Sequence, residues 1–76
     1  MYIYRDELVL SMPFRRYSFP REKVLLIHRY RRLLQIGLKI KHAVEDYPRY
    51  VVFYPMNLVE IEEALEANAF PVAQTV

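Results

Sequence analysis

The chain has 76 residues, a formal net charge of +2 and no cysteine. This length supports one hydrophobic core, and so short a domain gains little more from burial than it loses in conformational entropy. The lack of cysteine excludes disulfide bonds and cysteine-ligated zinc as further sources of stability. We therefore predict one small α+β domain over residues 1–76, with strands within 2–54, a helix at 57–67 and a tail at 71–76.

Tyrosine and arginine are the prominent residue types, with seven Tyr and eight Arg against three Lys. Both are enriched at the centres of protein interfaces, because each offers a large contact area and directional hydrogen bonding. Tyrosine is also favoured in β-strands for its own sake. We expect association to supply the missing stability, so the predicted partner is a second copy of the chain or another protein.

Charge is unevenly distributed along the chain. Residues 14–50 carry ten basic and three acidic side chains, whereas residues 51–76 carry four glutamates and no basic residue. Such a division predicts a site for an acidic partner or complementary faces between subunits. No apolar run reaches the ~18 residues of a membrane span, and the N-terminus lacks a secretory pattern. We therefore expect a cytoplasmic location and no membrane span.

The first third of the chain predicts short strands with tight connections. Apolar stretches at residues 2–4 and 8–10 flank a polar one, and Pro13 interrupts the second strand. Residues 15–19 extend again. The polar residues 20–23 then predict a short turn before the next apolar run.

Two interpretations are open for the segment 21–44. Its residues 38–43 alternate apolar and polar side chains, as a half-buried strand does. Its apolar residues also recur in steps of four and three, which is the spacing of a long helix. That helix would carry Gly37 in its middle, at a cost of about 1 kcal/mol relative to alanine. Strands are the first prediction, and a long central helix with flanking strands is the alternative.

A β-hairpin is predicted from residues 38–43 and 49–54. The second segment is rich in β-branched and aromatic residues and lies between Pro48 and Pro55, which predicts a central strand. The polar residues 45–48 supply the turn, so the two strands are expected to run antiparallel.

A C-terminal helix is predicted to begin at Asn57, which caps the exposed amides while Glu60 reaches back to it. Its apolar face is formed by Leu58, Ile61 and Leu65. The remaining faces are expected to be solvated and to carry Glu60, Glu62, Glu63 and Glu66.

The end of this helix is predicted at Asn68, because asparagine is second only to glycine in tolerating the left-handed conformation that terminates helices. Phe70 and Pro71 then leave the helix. Phe70 is expected to fold back onto the core.

Together these segments resemble the bacterial pleckstrin-homology-like domains, in which short antiparallel strands meander and one C-terminal helix closes the fold. The match lies in order and spacing over residues 2–72, and it rests on 6–10, 17–24, 37–42 and 50–55 followed by 57–68. The resemblance implies a fold of about five to six short strands and a binding scaffold whose partners differ between members. Some eukaryotic relatives bind lipid headgroups through basic residues around the first hairpin. Residues 5–7 are Arg-Asp-Glu here, so that lipid site is not carried over.

The chain lacks a pattern for catalysis, a cofactor or a metal. The available nucleophiles are Ser11, Ser18 and Thr75, and none lies in the glycine-rich elbow that positions a catalytic serine. The single glycine excludes a phosphate-binding loop. His28 and His42 have no metal-ligand spacing and are interpreted as ordinary hydrogen-bonded histidines. We predict a protein that is not an enzyme and uses no cofactor.

Cations alternate with aromatic residues in two segments of the basic half. Guanidinium groups attract phosphates and aromatic rings stack on bases, so the alternative to a protein-interaction module is a small protein that binds RNA or single-stranded DNA. On a strand, Arg29 and Arg31 would share one face and Tyr30 and Arg32 the other, which divides the cluster. The candidate partner-binding residues are Arg15, Arg16, Tyr17, Arg29, Tyr30, Arg31 and Arg32.

Overall fold

The computed structural model describes residues 1–73 and has an α+β fold. Its strands are β1 (Tyr2–Ile3), β2 (Glu7–Met12), β3 (Arg15–Pro20), β4 (Val24–Arg32), β5 (Gln35–His42) and β6 (Tyr50–Phe53). A single turn of 3₁₀ helix at Arg21–Lys23 joins β3 to β4, where the sequence predicted a short turn. The helix α1 spans Leu58–Ala67. None of the helices within residues 1–73 is long and apolar enough to cross a membrane.

The strands form two antiparallel sheets, each in chain order: β1, β2 and β3 in the first, and β4, β5 and β6 in the second. The predicted hairpin of β5 and β6 is present, with Leu38 paired to Phe53 and Ile40 to Val51. The expectation that the last strand is central is wrong, because β6 lies at an edge and β5 is the middle strand. The apolar run of β6 reflects burial of Val51 and Phe53 on one face and not pairing on both sides.

The segment 21–44 forms the two strands β4 and β5 after one 3₁₀ turn, so the alternative of a long central helix is wrong. Strands β4 and β5 pair from Val24 and His42 to Arg32 and Gln35, with a bulge near Leu26. The physical reason is the alternation of side chains along a strand. In the hairpin, Ile27, Leu38 and Ile40 all point to the core, where they are buried.

One core lies between the two sheets and α1. Leu8 and Phe19 bring the first sheet to it, Ile27 and Leu38 bring the second, and each is completely buried. Leu65 of α1 is also completely buried in this cluster, which confirms the predicted apolar face of the helix. The helix therefore covers apolar surface that two sheets of this size leave open.

The start of α1 differs in detail from the prediction. The side chain of Asn57 makes no capping hydrogen bond, and its backbone (φ −114°, ψ 56°) is not in the extended conformation that aims a capping side chain at the first amides. The Asn57 carbonyl oxygen instead accepts the first helical bond from the Ile61 N–H at 3.1 Å.

The end of α1 also corrects the prediction, because the left-handed residue is Ala69 (φ 63°) and not Asn68 (φ −100°). The Phe70 N–H donates to the Leu65 carbonyl at 2.9 Å and the Ala69 N–H to the Glu66 carbonyl at 3.0 Å, which is the Schellman pattern. Asn68 also helps to terminate the helix, because its Nδ2 donates a hydrogen bond to the Ala64 carbonyl oxygen at 2.8 Å. Phe70 is buried, as expected.

The chain after the helix returns to the second sheet. The Ile27 N–H donates to the Pro71 carbonyl oxygen and the Ala73 N–H to the Ile27 carbonyl oxygen, both at 2.8 Å, which places Val72 parallel to β4. The predicted tail at 71–76 is therefore paired with the sheet over 71–73. Residues 74–76, including Thr75, lie outside the described residues.

Candidate binding surfaces

The candidate residues from the sequence divide between the two sheets. Arg15, Arg16 and Tyr17 lie on β3, and residues 29–32 form the end of β4. Within the second group the strand alternates, so Arg29 and Arg31 point to the core side and Tyr30 and Arg32 point outward. The candidate residues therefore lie in three separate environments.

Arg15 and Tyr17 are engaged by the loop between β5 and β6. Nη2 of Arg15 donates to the Asp46 carbonyl oxygen at 3.2 Å, and the guanidinium carbon lies 5.0 Å from the centre of the Tyr17 ring. Tyr17 packs edge-on against Tyr47 with ring centres 4.9 Å apart. These contacts give Arg15 and Tyr17 a structural role, whereas Arg16 is exposed.

Arg29 forms a bidentate ion pair with Glu62 of α1. Its Nη2 lies 2.8 Å from Oε1 and its Nε 3.1 Å from Oε2. The hydrogen bond to Glu62, and then its charge, raise the pKa of Arg29 above the usual value. Because the raised pKa belongs to the folded state, the pair stabilises the fold while Arg29 is protonated, and this stabilisation is lost as the pH rises through the raised pKa. The prediction that Glu62 lies on a solvated face is wrong, since Glu62 is buried.

His42 is a buried histidine whose ring nitrogens are both occupied. Nε2 donates to the Pro48 carbonyl oxygen at 2.7 Å, and Nδ1 accepts from the Val44 N–H at 3.0 Å. The interpretation of His42 as an ordinary hydrogen-bonded residue agrees with these contacts. His28 is far along β4 and pairs in register with Lys39, so the two imidazoles do not face each other. Over the described range 1–73, no group of three or more His, Cys, Asp or Glu side chains is arranged to hold a metal ion.

The tip of the β4–β5 hairpin carries two exposed leucines, which we call the hairpin knob. Arg32 and Gln35 are paired, so Leu33 and Leu34 alone make the turn, and their side chains are 94% and 101% exposed. Leu33 adopts a left-handed conformation with φ 44°. Two-residue hairpins normally place Gly, Asn or Asp at such positions. The absence of Gly, Asn and Asp from this turn is the signal that could have revealed the site in the sequence.

The outward face of the second sheet is basic and aromatic, and we call it the tyrosine–lysine face. Its residues follow from the register of the three strands, because every second residue points away from the core. They are Leu26, His28, Tyr30 and Arg32 on β4, Gln35, Gly37, Lys39 and Lys41 on β5, and Tyr50 and Val52 on β6, with Tyr54 just beyond it. No acidic residue belongs to this face.

Lys39 lies at the centre of the tyrosine–lysine face. Its Nζ is 4.3 Å from the centre of the Tyr50 ring and 5.4 Å from that of Tyr30, which are cation–π distances. The Tyr54 ring packs directly over Gly37, where a Cβ would lie 2.7 Å from its Cδ1. Sequence reasoning missed this face because its tyrosines and lysines come from three strands whose register is a tertiary property.

A third surface is a groove between the end of β2, the end of β6 and the start of α1. It has a volume of about 370 Å³. We call it the apolar groove, and it is lined by Met1, Leu10, Ser11, Met12, Pro13, Phe53, Tyr54, Pro55, Asn57 and Ile61. Most of these side chains are apolar, so the groove suits apolar groups from a partner.

The class that the fold defines is a small α+β domain of two three-stranded antiparallel sheets and one C-terminal helix. Comparisons of the chain with models of known protein families, with curated proteins and with solved structures find no match.

Proposed function

We propose that the chain is a pleckstrin-homology-like, non-catalytic binding module that works in the cytoplasm and associates with its own copies or with a protein partner. The order of strands followed by one closing helix supports the pleckstrin-homology-like assignment. Among the partners we favour a second copy, because the chain carries both an exposed apolar projection and an apolar depression. These are the hairpin knob and the apolar groove.

The observation that carries this proposal is the exposure of Leu33 and Leu34. A non-glycine residue in the left-handed region costs about 1–2 kcal/mol, and Leu33 accepts that cost without burying its side chain in the subunit. Burial of a leucine side chain contributes about 1.5–3 kcal/mol. A partner that covers both leucines would offset the backbone strain at Leu33. Binding of a partner would therefore explain why two leucines occupy this turn.

Charge is arranged to favour a second copy as the occupant. Exposed Arg31 and Arg32 flank the knob. At the groove, Asn57 is a lining residue, and exposed Glu60 follows it by three residues, which places it beside Asn57 at the start of α1. A knob seated in the groove of another copy would bring cationic and anionic side chains together at its rim. Such a contact joins different patches, so it closes as a ring or repeats along a chain of subunits.

The test is the molar mass in solution. Size-exclusion chromatography with light scattering at micromolar concentration should give the wild-type chain a mass above 9.2 kDa. The double variant Leu33→Asn with Leu34→Ser should run as a monomer. Leu25→Ser is the matched control, because Leu25 is 52% exposed on the same strand but far from the turn. A monomeric wild type, or loss of association in the control alone, contradicts the proposal.

A complementation experiment separates the knob from the groove. Ser11→Arg places a charge among the groove residues and leaves the knob intact. It should be monomeric by itself, as should the knob double variant. Mixed in equal amounts, the two should form a heterodimer, because one supplies the intact knob and the other the intact groove. If the mixture stays monomeric, the knob and groove do not bind each other.

A further inference from the structure

We propose that the tyrosine–lysine face binds single-stranded nucleic acid. This site adjoins the hairpin knob at Arg32 and the apolar groove at Tyr54. Its central residues belong to neither, and the inference does not depend on self-association. The face belongs to three strands and is not covered by α1, because α1 packs on the opposite side of the sheet, where Leu65 meets the core. Within residues 1–73, it is therefore a sheet face that the helix leaves open.

The tyrosines of the face offer stacking surfaces. Tyr50 on β6 and Tyr54 just beyond it are 43% and 38% exposed. Single strands present unpaired bases, and any base has a π-face that stacks on an exposed aromatic ring. Tyr54 is held in place over Gly37, and Tyr50 is held by Lys39. The rings are thus oriented before a ligand arrives, which lowers the entropic cost of binding.

The cations of the face suit a phosphate backbone. Lys39 and Lys41 are two residues apart on β5, so their side chains emerge roughly 7 Å apart on the same face. Arg32 adds a third cation at the end of β4. Within the described residues 1–73, no carboxylate of the face competes with phosphate for these groups. The four glutamates of α1 belong to the helix that packs on the other side of the sheet.

Single-stranded nucleic acid fits this combination better than the other anionic partners. A membrane surface would use the cations, but the face itself carries only one exposed aliphatic side chain to insert, Leu26 at 37% exposure, while the leucines of the hairpin knob lie beyond its end. An acidic protein would likewise need only the charges. Duplexes hide the faces of their bases, whereas single strands expose them, so the aromatic rings and the cations are used together only by a single strand.

The experiment is fluorescence anisotropy with labelled oligo(dT) and oligo(rU) of roughly 12 nucleotides, a length within the range that single-strand-binding domains cover. Binding is expected at about 50 mM salt. With about three phosphates contacted, the affinity should fall about 20-fold by 200 mM. A duplex of the same length should bind more weakly.

Matched variants test the two halves of the site. Tyr50→Ala should weaken binding at least about fivefold, and Tyr50→Phe should restore it because the ring alone stacks. Tyr2→Ala is the control, since Tyr2 is 56% exposed on the first sheet. Lys41→Gln should weaken binding and flatten the salt dependence, whereas Lys23→Gln, in the exposed 3₁₀ turn, should not. Circular dichroism and size-exclusion mass show that each variant is folded and has wild-type association.

The absence of binding at low salt would overturn the inference, and so would equal losses of affinity for Tyr2→Ala and Tyr50→Ala. Binding that Tyr50→Ala leaves unchanged would also overturn it, because it would indicate attraction of any polyanion. Flotation with vesicles of phosphatidylcholine and phosphatidylserine gives a further check. Retention on vesicles without oligonucleotide binding would assign the face to a lipid surface. None of these outcomes changes the molar-mass test, so the two proposals fail separately.

Discussion

Arg29 on β4 and Glu62 on α1 are joined by two parallel hydrogen bonds, of 2.8 and 3.1 Å. The pair links the only α-helix of residues 1–73 to the edge strand of the second sheet, 33 residues away along the chain. The side chain of Glu62 is only 11% exposed and that of Arg29 is 36% exposed. Because both hydrogen bonds form together, the pair fixes one position of α1 along β4.

Loss of this pair should loosen the helix. Glu62→Gln is expected to lower the denaturation midpoint, because Arg29 loses its charged partner beside the core. Glu63→Gln, one residue on and exposed, should change it much less. Chemical denaturation of both variants measures the difference. In a double-mutant cycle, Arg29→Gln combined with Glu62→Gln should cost less than the sum of the single changes, and strict additivity would show that the pair contributes nothing.

The left-handed residue at the end of α1 offers a gain in stability. Ala69→Gly should raise the free energy of unfolding by about 0.5–1 kcal/mol, because glycine has no Cβ to strain at φ 63°. Ala67→Gly, two residues earlier at the last residue of α1, should lower it by up to about 1 kcal/mol, because residue 67 is helical. Urea denaturation compares the two variants with the wild type. The same sign for both changes would contradict the Schellman geometry.

Gly37 is required by close packing and not by its backbone conformation. A Cβ at this position would lie 2.4 Å from the Phe53 carbonyl oxygen and 2.7 Å from Cδ1 of Tyr54. Gly37→Ala should therefore destabilise the fold by about 1–3 kcal/mol, because the oxygen belongs to the backbone of β6 and cannot turn away. Gln35→Ala on the same strand is exposed and should stay within about 0.5 kcal/mol of the wild type. Thermal denaturation distinguishes them.

The hydroxyl of Tyr47 secures the edge strand β3. It accepts a hydrogen bond from the Ser18 N–H at 3.0 Å, while the ring packs between Tyr17 and Phe19. Tyr47→Phe keeps the ring and removes the acceptor, so a cost of about 0.5–1.5 kcal/mol is expected. Hydrogen exchange should speed up at the Ser18 amide in this variant. Tyr2→Phe serves as the control, and an unchanged Ser18 exchange rate in Tyr47→Phe would contradict the role of the hydroxyl.

Alternation and helical spacing predicted the elements well. Leu38, Ile40 and His42 were expected on one face of a strand, and all three are buried. The helix was expected at 57–67 and spans Leu58–Ala67. These patterns can be recognised in the sequence because the spacing of apolar residues follows the repeat of the strand or helix that contains them. For 21–44 the sequence favours strands over a long helix, although both periods fit the apolar residues.

Features that depend on partners distant in sequence were missed. Glu62 resembles the neighbouring glutamates in sequence, and only the position of Arg29 across the fold makes it a buried partner. The left-handed conformation fell on Ala69 because Asn68 used its side chain to cap the helix instead. The candidate residues Arg15 and Arg29 are likewise occupied by contacts with Asp46 and Glu62 that no local pattern records.

By itself, the sequence determined which segments extend, where the helix lies and which side of each element is apolar, since these properties are carried by neighbouring residues along one chain. The tertiary structure alone decided the register of β4, β5 and β6, which sets Lys39 between Tyr30 and Tyr50, and the docking that pairs Arg29 with Glu62. Register and docking are set by many weak contacts summed over the whole core, so no single stretch of sequence encodes them.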